Sequence, residues 1–542
     1  MKEAHPDRGQ ETRWKIPPKM RIQFPAAISA VFLCAATAMA TVNEPTLIPQ
    51  PQKLTRLEGA FELVPATRIY TDKASVGTGH VLAAKLRQAT GWPFRIGRKT
   101  APDLPDTGGI LLTTRGADAS LGAEGYELVA RTNAVIIRAP AQAGLFYGLQ
   151  TLLQLLPPEI FSTNIVSNFD WQIPCVRITD QPRFKWRGLM LDSGHDFQNK
   201  EFVERYLDLM ALHKFNLFHW HLTDLGTWSI AIKGYPKLLD PDTRAPGVKP
   251  GYYTQDEIRE VVRYAAARYI TILPEIDMPG HESPALLAYP ELDCPLPHHE
   301  TGWPYNTVAN GKPRPWEFCV GNEKTYVFLE EVLSQIVALF PGRYIDIGGD
   351  ECPKERWLRC PLCQAKMKAE QLTTGEELQS YFIRRMEKFL QSKGRRMIGW
   401  DEILEGGLAP NATVMSWRGM GGGIAAAKAG HDVVMAPGEW TYFDNPKTLV
   451  EKVYSFEPVP KELSAAQAAH VLGAEAEMWA DQHPSEHEIE ALVYPRATAL
   501  AEVLWSPKEA RKFDDFTRRL KTDNQRLDQF GVHYQSRETV AK

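Results

Sequence analysis

Two hydrophobic patterns alternate along the chain from Trp186 onward. Short apolar runs, typical of buried strands, are followed by segments in which apolar residues recur at helical spacing, as Phe202, Tyr206, Leu207 and Met210 do. Such alternation is typical of a parallel sheet built from βα units. The predicted strands lie at residues 186–191, 216–222, 270–276, 344–348, 396–400, 413–417, 431–435 and 470–479.

Eight such units between residues 183 and 510 predict an α/β fold, a (β/α)8 TIM barrel. Residues 41–160 contain shorter β-like runs and end in an apolar helix, which predicts a small α+β domain ahead of the barrel. Residues 157–183 carry four prolines and are interpreted as a connector. Residues 511–542, rich in Lys, Arg and Asp, predict a solvated C-terminal helical tail.

Composition narrows the function classes. The chain has 542 residues, of which 44% are hydrophobic and 24% charged, and this excludes a disordered or fibrous protein. A net charge of −4 leaves no electrostatic basis for binding nucleic acid or an anionic membrane. We therefore expect a neutral or uncharged polar substrate; the oligomeric state is not readable.

The N-terminus predicts an export signal. An apolar stretch at residues 24–40 follows Lys19 and Arg21 and ends in Ala38-Met39-Ala40, a pattern typical of signal-peptidase sites. Residues 1–40 are thus predicted to be removed, with Met20 as the true start and a periplasmic or secreted product. An uncleaved anchor is the alternative, although no later segment approaches a membrane span.

Export makes disulfides plausible among the cysteines. Cys294 and Cys319 flank a loop rich in Pro, Gly and aromatic residues, and a disulfide between them is expected. Cys360-x-x-Cys363 could indicate zinc, but with Cys352 it supplies only three thiols and no nearby histidine. The sequence therefore predicts no metal and no cofactor.

Polar and aromatic residues gather where the predicted strands end. Because these ends share one face of a barrel, the residues predict a pocket lined by carboxylates and aromatic rings. Aromatic faces pack on sugar rings and carboxylates accept hydroxyl hydrogen bonds, so the pocket suits a carbohydrate. Taken one by one, the same residues could be helix caps and core tryptophans. They are Asp192, His219, His221, Asp224, Glu275, Asp277, His281, Asp350, Glu351, Trp400, Asp401, Trp417, Tyr442, Asp444, Trp479 and Asp481.

The adjacent pair Asp350-Glu351 narrows the chemistry further. Neighbouring side chains of a regular strand point to opposite faces, so both reach one pocket only if the strand ends or kinks, as Gly348-Gly349 permits. Two neighbouring carboxylates approach a substrate from nearly the same side. This arrangement suits one group that protonates the leaving oxygen and another that steers a nucleophile belonging to the substrate.

The motifs RGLMLD, HWHLTD, PEIDMPGH, IDIGGDE, IGWDE, SWRG and MWAD, in this order, strongly resemble glycoside hydrolase family 20, the β-N-acetylhexosaminidases. The resemblance covers about residues 41–505. It implies an exo-acting, retaining, substrate-assisted hydrolase that removes terminal non-reducing β-linked GlcNAc or GalNAc from oligosaccharides or glycoconjugates through an oxazolinium intermediate.

The resemblance also implies roles for individual residues. Glu351 would be the general acid, and Asp350 would hold the 2-acetamido group, whose carbonyl oxygen Tyr442 would bind. Trp400, Trp417 and Trp479 would wall the acetamido pocket. Arg187, Asp444 and Asp481 would bind sugar hydroxyls. Asp224, Asp277, His281 and His221 would support the acid.

Departures from the family pattern affect hydroxyl recognition. Ser193-Gly194-His195-Asp196 stands where the family usually has an Arg-His pair, and Asp481 stands where Glu is common. Two other function classes stay open at this point. His219 and His221 form a His-x-His that could bind metal in a barrel hydrolase, and the chain could be a non-catalytic carbohydrate-binding protein.

Overall fold

The N-terminal domain is a seven-stranded mixed sheet with helices packed against it. The computed structural model describes residues 45–99, 108–296 and 314–535, so the predicted signal segment lies outside the described residues. The strand order is β1-β7-β5-β6-β4-β2-β3. The strands are β1 Lys53–Glu62, β2 Ile69–Thr71, β3 Ile96–Arg98, β4 Ile110–Thr113, β5 Tyr126–Arg131, β6 Ala134–Arg138 and β7 Gln172–Asp180.

Strand β7 changes the predicted domain boundary. It falls within residues 157–183, which the prolines predicted to be a connector, and it pairs antiparallel with both β1 and β5. The N-terminal sheet therefore continues to Asp180. Pro174 is accommodated in β7 opposite Ala60, where the register against β1 shifts, since a proline lacks the N–H that a regular ladder needs.

Eight parallel strands then close into a barrel, which confirms the predicted fold class. Their order is β10-β11-β12-β13-β14-β15-β8-β9. Each observed strand lies within its predicted run or differs from it by one residue, because strands buried on both faces read as continuous apolar runs. They are β8 Trp186–Asp192, β9 Leu217–His221, β10 Thr271–Glu275, β11 Tyr344–Asp346, β12 Arg396–Trp400, β13 Thr413–Ser416, β14 Val433–Met435 and β15 Val471–Ala476.

Local sequence signals set several helix ends. Thr254 and Glu257 form a capping box at the start of α4, and Gly394, with φ +73°, follows the end of α8. The helices are α1 Val76–Thr90, α2 Gln142–Leu155, α3 Lys200–Leu212, α4 Gln255–Ala266, α5 Ser283–Ala288, α6 Glu323–Leu339, α7 Pro361–Glu370, α8 Gly375–Ser392, α9 Gly421–Lys428, α10 Gly438–Thr441, α11 Val450–Ser455, α12 Ala465–Ala468, α13 Glu486–Val493, α14 Arg496–Trp505 and α15 Phe513–Gln529. Across the described ranges, none of these helices has both the length and the apolar character needed to span a bilayer.

The C-terminal helix α15 is packed rather than solvated, contrary to the prediction. Arg519 lies against both carboxylate oxygens of Glu502 at 2.7 Å, and Asp523 lies 3.0 Å from His213 at the end of α3. Arg526 donates to the carbonyl of Gln154 in the N-terminal domain. Several of the charged residues that suggested a solvated helix thus form buried ion pairs, and Arg526 hydrogen-bonds to the N-terminal domain.

The prediction of a disulfide between Cys294 and Cys319 is wrong. All six cysteines of the described residues are unbonded and buried. Cys294 and Cys319 instead lie beside Cys360 and Cys363, whereas Cys352 is elsewhere.

Candidate active site

Polar residues from four neighbouring strands meet at one level of the barrel. The parallel register pairs Asp192 with His221, His221 with Glu275, and Glu275 with Asp346. Each stands at the last position of its strand, so the strand ends collect these side chains at the C-terminal face, as barrel geometry requires.

A strained turn after β11 delivers the two adjacent carboxylates. Gly348 and Gly349 have φ values of +63° and +96°, and Glu351 itself has φ +42°, in the left-handed region that L residues rarely adopt. A Cβ on Gly348 would collide with the carboxylate of Asp277. The predicted kink is present, and it brings Asp350 and Glu351 to the same cavity.

His281 connects these two carboxylates to a buried chain of charges. Its Nε2 lies 3.7 Å from Asp350 Oδ2 and 3.8 Å from Glu351 Oε2, while its Nδ1 lies 3.0 Å from Asp224 Oδ1. Asp224 Oδ2 is 2.8 Å from His221 Nε2. Nearby carboxylates, above all that of Asp224, raise the pKa of His281 well above its usual range despite its burial. The imidazoles of His195, His281 and His221 in turn lower the pKa of Asp224 despite its burial. His281 thus lies between Asp224 and the two adjacent carboxylates.

Asp350 is a buried carboxylate with spare hydrogen-bonding capacity. Its pKa is raised to about 7, mainly by burial and also by the charges of Glu402, Glu275 and Glu351, while His281 opposes the shift. Its side chain is 13% exposed, against 32% for Glu351. Among the described residues, Asp350 Oδ1 has no hydrogen-bond partner. A buried acceptor of this kind is ready to bind a donor of a ligand.

Three aromatic rings form one wall of the cavity. Trp417 and Tyr442 are nearly parallel, with centroids 6.1 Å apart and planes at 14°, and Trp479 lies 6.2 Å from Tyr442. Trp400 differs from its predicted place because it does not line the cavity. It is 1% exposed, donates to Glu275 and contacts Trp479 at 6.0 Å, so it supports the wall from beneath.

Asp444 and Asp481 lie at the same cavity, as predicted. The pKa of Asp444 is raised to about 6, mainly by burial and also by the charge of Asp481. Asp444 Oδ1 also lacks a hydrogen-bond partner within the described part of the chain. The two carboxylates can thus accept hydrogen bonds from hydroxyls.

The cavity has a volume of about 230 Å³. It includes residues that sequence reasoning missed or did not assign a role. Trp316 lies in an irregular segment between β10 and α6 that shows no periodicity. His195 belongs to the segment Ser193-Gly194-His195-Asp196 after β8, where the sequence departs from the family pattern. Glu402 accepts the indole N–H of Trp417 at 2.9 Å behind the wall. The lining residues are His195, Asp224, Leu225, His281, Trp316, Asp350, Glu351, Trp417, Tyr442, Asp444, Trp479 and Asp481.

Arg187 does not belong to this site, and the expectation that it binds sugar hydroxyls is wrong. It is the second residue of β8 and lies at the opposite end of the barrel, 1% exposed. Its guanidinium makes a bidentate contact with Glu124 of the N-terminal domain, at 2.8 and 3.0 Å, and donates to backbone carbonyls of Lys214 and Phe184. Because these acceptors satisfy the N–H donors of its guanidinium, Arg187 has a structural role.

His219 and His221 are surrounded by carboxylates beneath the cavity. His219 lies 2.7 Å from Glu475 and 3.0 Å from Glu275, and His221 contacts Glu275 and Asp224. Neither histidine lines the cavity. Each ring nitrogen faces a carboxylate in a buried network, so the two residues do not present an open ligand pair to a substrate.

Comparison with known proteins identifies the class. The sequence matches the glycosyl hydrolase family 20 catalytic domain over residues 184–508 and domain 2 of that family over residues 44–181. The chain therefore belongs to glycosyl hydrolase family 20 and is a glycoside hydrolase. The metal-dependent alternative is not favoured.

Three relatives illustrate the similarity. A β-hexosaminidase of Porphyromonas gingivalis is 42% identical over 90% of this chain, and the chain spans 64% of that protein's length. The structure of the family 20 β-N-acetylhexosaminidase of Streptomyces coelicolor is 30% identical with a TM-score of 0.77, covering 90% of this chain and 97% of its own. The exo β-N-acetylglucosaminidase of Vibrio harveyi, solved with N-acetylglucosamine, is 29% identical with a TM-score of 0.80, covering 91% and 78%.

Proposed function

We propose that this protein is an exo-acting β-N-acetylhexosaminidase. It removes a terminal β-linked GlcNAc or GalNAc from oligosaccharides or glycoconjugates with retention of configuration. The relatives above carry this activity in their names, and the small cavity supports an exo mode. Pockets for drug-sized ligands occupy about 300–1,000 Å³, so a cavity of about 230 Å³ suits a single terminal sugar.

One observation carries the mechanism: neighbouring residues supply the two carboxylates at the cavity, and one of them is a buried acceptor without a partner. Asp350 accepts the N–H of the acetamido group and orients its carbonyl oxygen towards the anomeric carbon. Tyr442 donates to that oxygen, and Trp417 and Trp479 confine the group, which keeps the attacking atom close to its target.

The reaction takes two steps. In the first, the carbonyl oxygen forms a bond to the anomeric carbon, the glycosidic bond breaks, and Glu351 gives its proton to the leaving oxygen. In the second, the Glu351 carboxylate takes a proton from water, whose oxygen bonds to the anomeric carbon and opens the oxazolinium ring. Asp350 stabilises the positive charge of this ring between the steps, and the acetamido group is regenerated.

The place of action belongs to the same proposal. The apolar stretch 24–40 and the Ala38-Met39-Ala40 pattern support cleavage after Ala40 and export to the periplasm or medium. Sequencing the N-terminus of the mature protein tests this directly. A mature chain that begins before residue 40 would contradict it.

The activity is tested with a matched pair of substrates. An aryl β-N-acetylglucosaminide and the corresponding aryl β-glucoside differ in the acetamido nucleophile, so kcat/KM should be far higher for the first. Asp350→Asn should reduce turnover of the acetamido substrate by about 10²- to 10³-fold, as expected for loss of a group that stabilises charge in the transition state. Comparable rates on both substrates would mean that a protein carboxylate attacks. Binding of the sugar without turnover of either would favour a carbohydrate-binding protein.

A further inference from the structure

Four buried cysteines from three segments of the chain meet beside the active-site loops. Cys294 follows the helical turn Pro290–Leu292 and Cys319 precedes α6. Cys360 is the N-cap of α7 and Cys363 lies in its first turn. Their exposed fractions are 2% for Cys294 and 0% for the other three. All four Sγ atoms lie within 4.8 Å of one another.

The sulfur separations match a tetrahedron around one ion. The Sγ atoms of Cys319 and Cys360 are 3.7 Å apart, those of Cys319 and Cys363 are 3.7 Å apart, and those of Cys294 and Cys363 are 3.9 Å apart. Tetrahedral zinc with Zn–S bonds of about 2.3 Å places its sulfurs about 3.8 Å apart. Disulfide sulfurs are about 2.05 Å apart, so these thiols are spaced as ligands rather than as bonded pairs.

The backbone around the cluster is packed to bring two cysteine segments together. Cys360-x-x-Cys363 has the spacing of a zinc knuckle, and Gly321 follows Cys319 by two residues. A Cβ on Gly321 would collide with the backbone of Leu362 and Cys363. Glycine at this position therefore permits the close approach that places Cys319 against the knuckle.

We infer that Cys294, Cys319, Cys360 and Cys363 bind one zinc ion in a structural tetrathiolate site. Zn–S bonds replace S–H bonds on binding, and the protons pass to solvent. All four protein ligands fill the tetrahedron, so the metal has no open position for a substrate. The site is independent of the proposed hydrolysis and is not part of its chemistry.

The metal would hold two loops that contribute to the active site. Trp316 precedes Cys319 by three residues, and Glu351 precedes Cys360 by nine. Between them, the indole N–H of Trp357 donates to the carbonyl of Phe318 at 2.8 Å, and Arg356 contacts Asp293 at 2.9 Å. The four cysteines therefore join the Trp316 loop to the loop that follows Glu351.

The test measures metal on the full-length protein. Purified enzyme should contain about one zinc per chain by elemental analysis, and a mercurial that captures thiols should release it. Cys363→Ser should lose most of the zinc and unfold at a lower temperature. Cys175→Ser, which removes a buried thiol of β7 outside the cluster, should keep the full zinc content.

A second measurement decides the matter if Cys363→Ser does not fold. Wild-type protein exchanged with Co²⁺ should show the intense visible absorption of a tetrahedral tetrathiolate ion. Metal-free protein whose non-reduced peptides contain two disulfides among these four cysteines would overturn the proposal. Equal zinc content in Cys363→Ser and Cys175→Ser would overturn it as well. Hydrolytic activity does not enter either outcome, so failure of the zinc site is distinguishable from failure of the proposed function.

Discussion

Buried charges lie at both ends of the barrel, and their surroundings differ. At the N-terminal end, Arg187 is bound by Glu124 and by backbone carbonyls, and Lys214 lies 3.2 Å from Asp180. At the C-terminal end, Asp350 and Asp444 keep carboxylate oxygens without hydrogen-bond partners in the described structure. The paired charges at the N-terminal end join the two domains, whereas the carboxylate oxygens at the C-terminal end are available to a ligand.

Burial alone does not distinguish a structural carboxylate from a carboxylate of the candidate site. The pKa of Asp350 is raised to about 7 although His281 opposes the shift, and burial is the largest cause of the raised pKa of Asp444, about 6. The guanidinium of Arg187 instead lowers the pKa of Glu124. The partners of Glu124 stabilise the fold, whereas Asp350 and Asp444 each keep one oxygen available to a ligand at a cost in stability.

The largest expected effect comes from removing the proposed acid. Glu351→Gln should lower kcat/KM by about 10²- to 10⁴-fold, because proton transfer to the leaving oxygen is lost. The loss should be greater for alkyl glycosides than for aryl glycosides with acidic leaving groups, which need less protonation. Steady-state kinetics on both substrate types measures this. An equal loss on both would remove Glu351 from the acid role, and an unchanged melting temperature serves as the control for folding.

The opposite end of the barrel should respond in stability rather than in activity. Arg187→Met leaves Glu124 without its partner and should lower the free energy of unfolding by about 3 kcal/mol. Denaturant titration measures this loss, while kcat/KM of the folded enzyme should stay within a few-fold. Arg259→Met, which breaks the exposed pair with Asp256, is the matched control and should cost less than about 1 kcal/mol. A loss of sugar affinity in folded Arg187→Met would return Arg187 to the site.

The pH dependence of kcat/KM should reveal the raised pKa at the C-terminal end of the barrel. Asp350 must be anionic to accept the acetamido N–H, so kcat/KM should fall as pH drops through its raised pKa of about 7. Glu402 raises that pKa by its charge. Glu402→Gln should therefore move the acid limb of kcat/KM to lower pH while keeping an acceptor for Trp417. An acid limb that stays in place would mean that another group controls it.

The smallest expected effect concerns hydroxyl recognition at the cavity mouth. Asp481 is one methylene shorter than the glutamate common in the family, and Asp481→Glu should change the ratio of kcat/KM for gluco- and galacto-configured substrates by a few-fold. This corresponds to about 1 kcal/mol, the scale of one hydrogen bond. Identical substrate profiles for both proteins would show that Asp481 does not read these hydroxyls.

The barrel was predictable because its strands are buried on both faces. Runs such as Val433–Met435 read as continuous apolar stretches, and a kink at Gly348-Gly349 was needed for Asp350 and Glu351 to reach one pocket. Strand β7 was missed because its proline and neighbouring prolines resemble a connector. Its pairing with β1 and β5 depends on residues far away in the chain.

Contacts between residues that are far apart in the sequence account for the other wrong predictions. The sequence motif of Arg187 does not reveal that Glu124, more than sixty residues earlier, binds its guanidinium. Trp316 lies in an irregular segment, where no periodicity marks a position as part of a pocket. The cysteines meet across separations of up to sixty-nine residues, so spacing alone suggested a local disulfide.

The central claim is that the substrate's own carbonyl oxygen attacks the anomeric carbon while Asp350 holds its amide. Successive fluorination of the N-acetyl group of an aryl β-N-acetylglucosaminide makes that oxygen a weaker nucleophile with little change in size. Measurement of kcat/KM across this series is the most direct test. The account predicts a steep fall from acetyl to trifluoroacetyl in the wild-type enzyme. A flat series would contradict it, because a nucleophile of the protein would not respond to the acyl group.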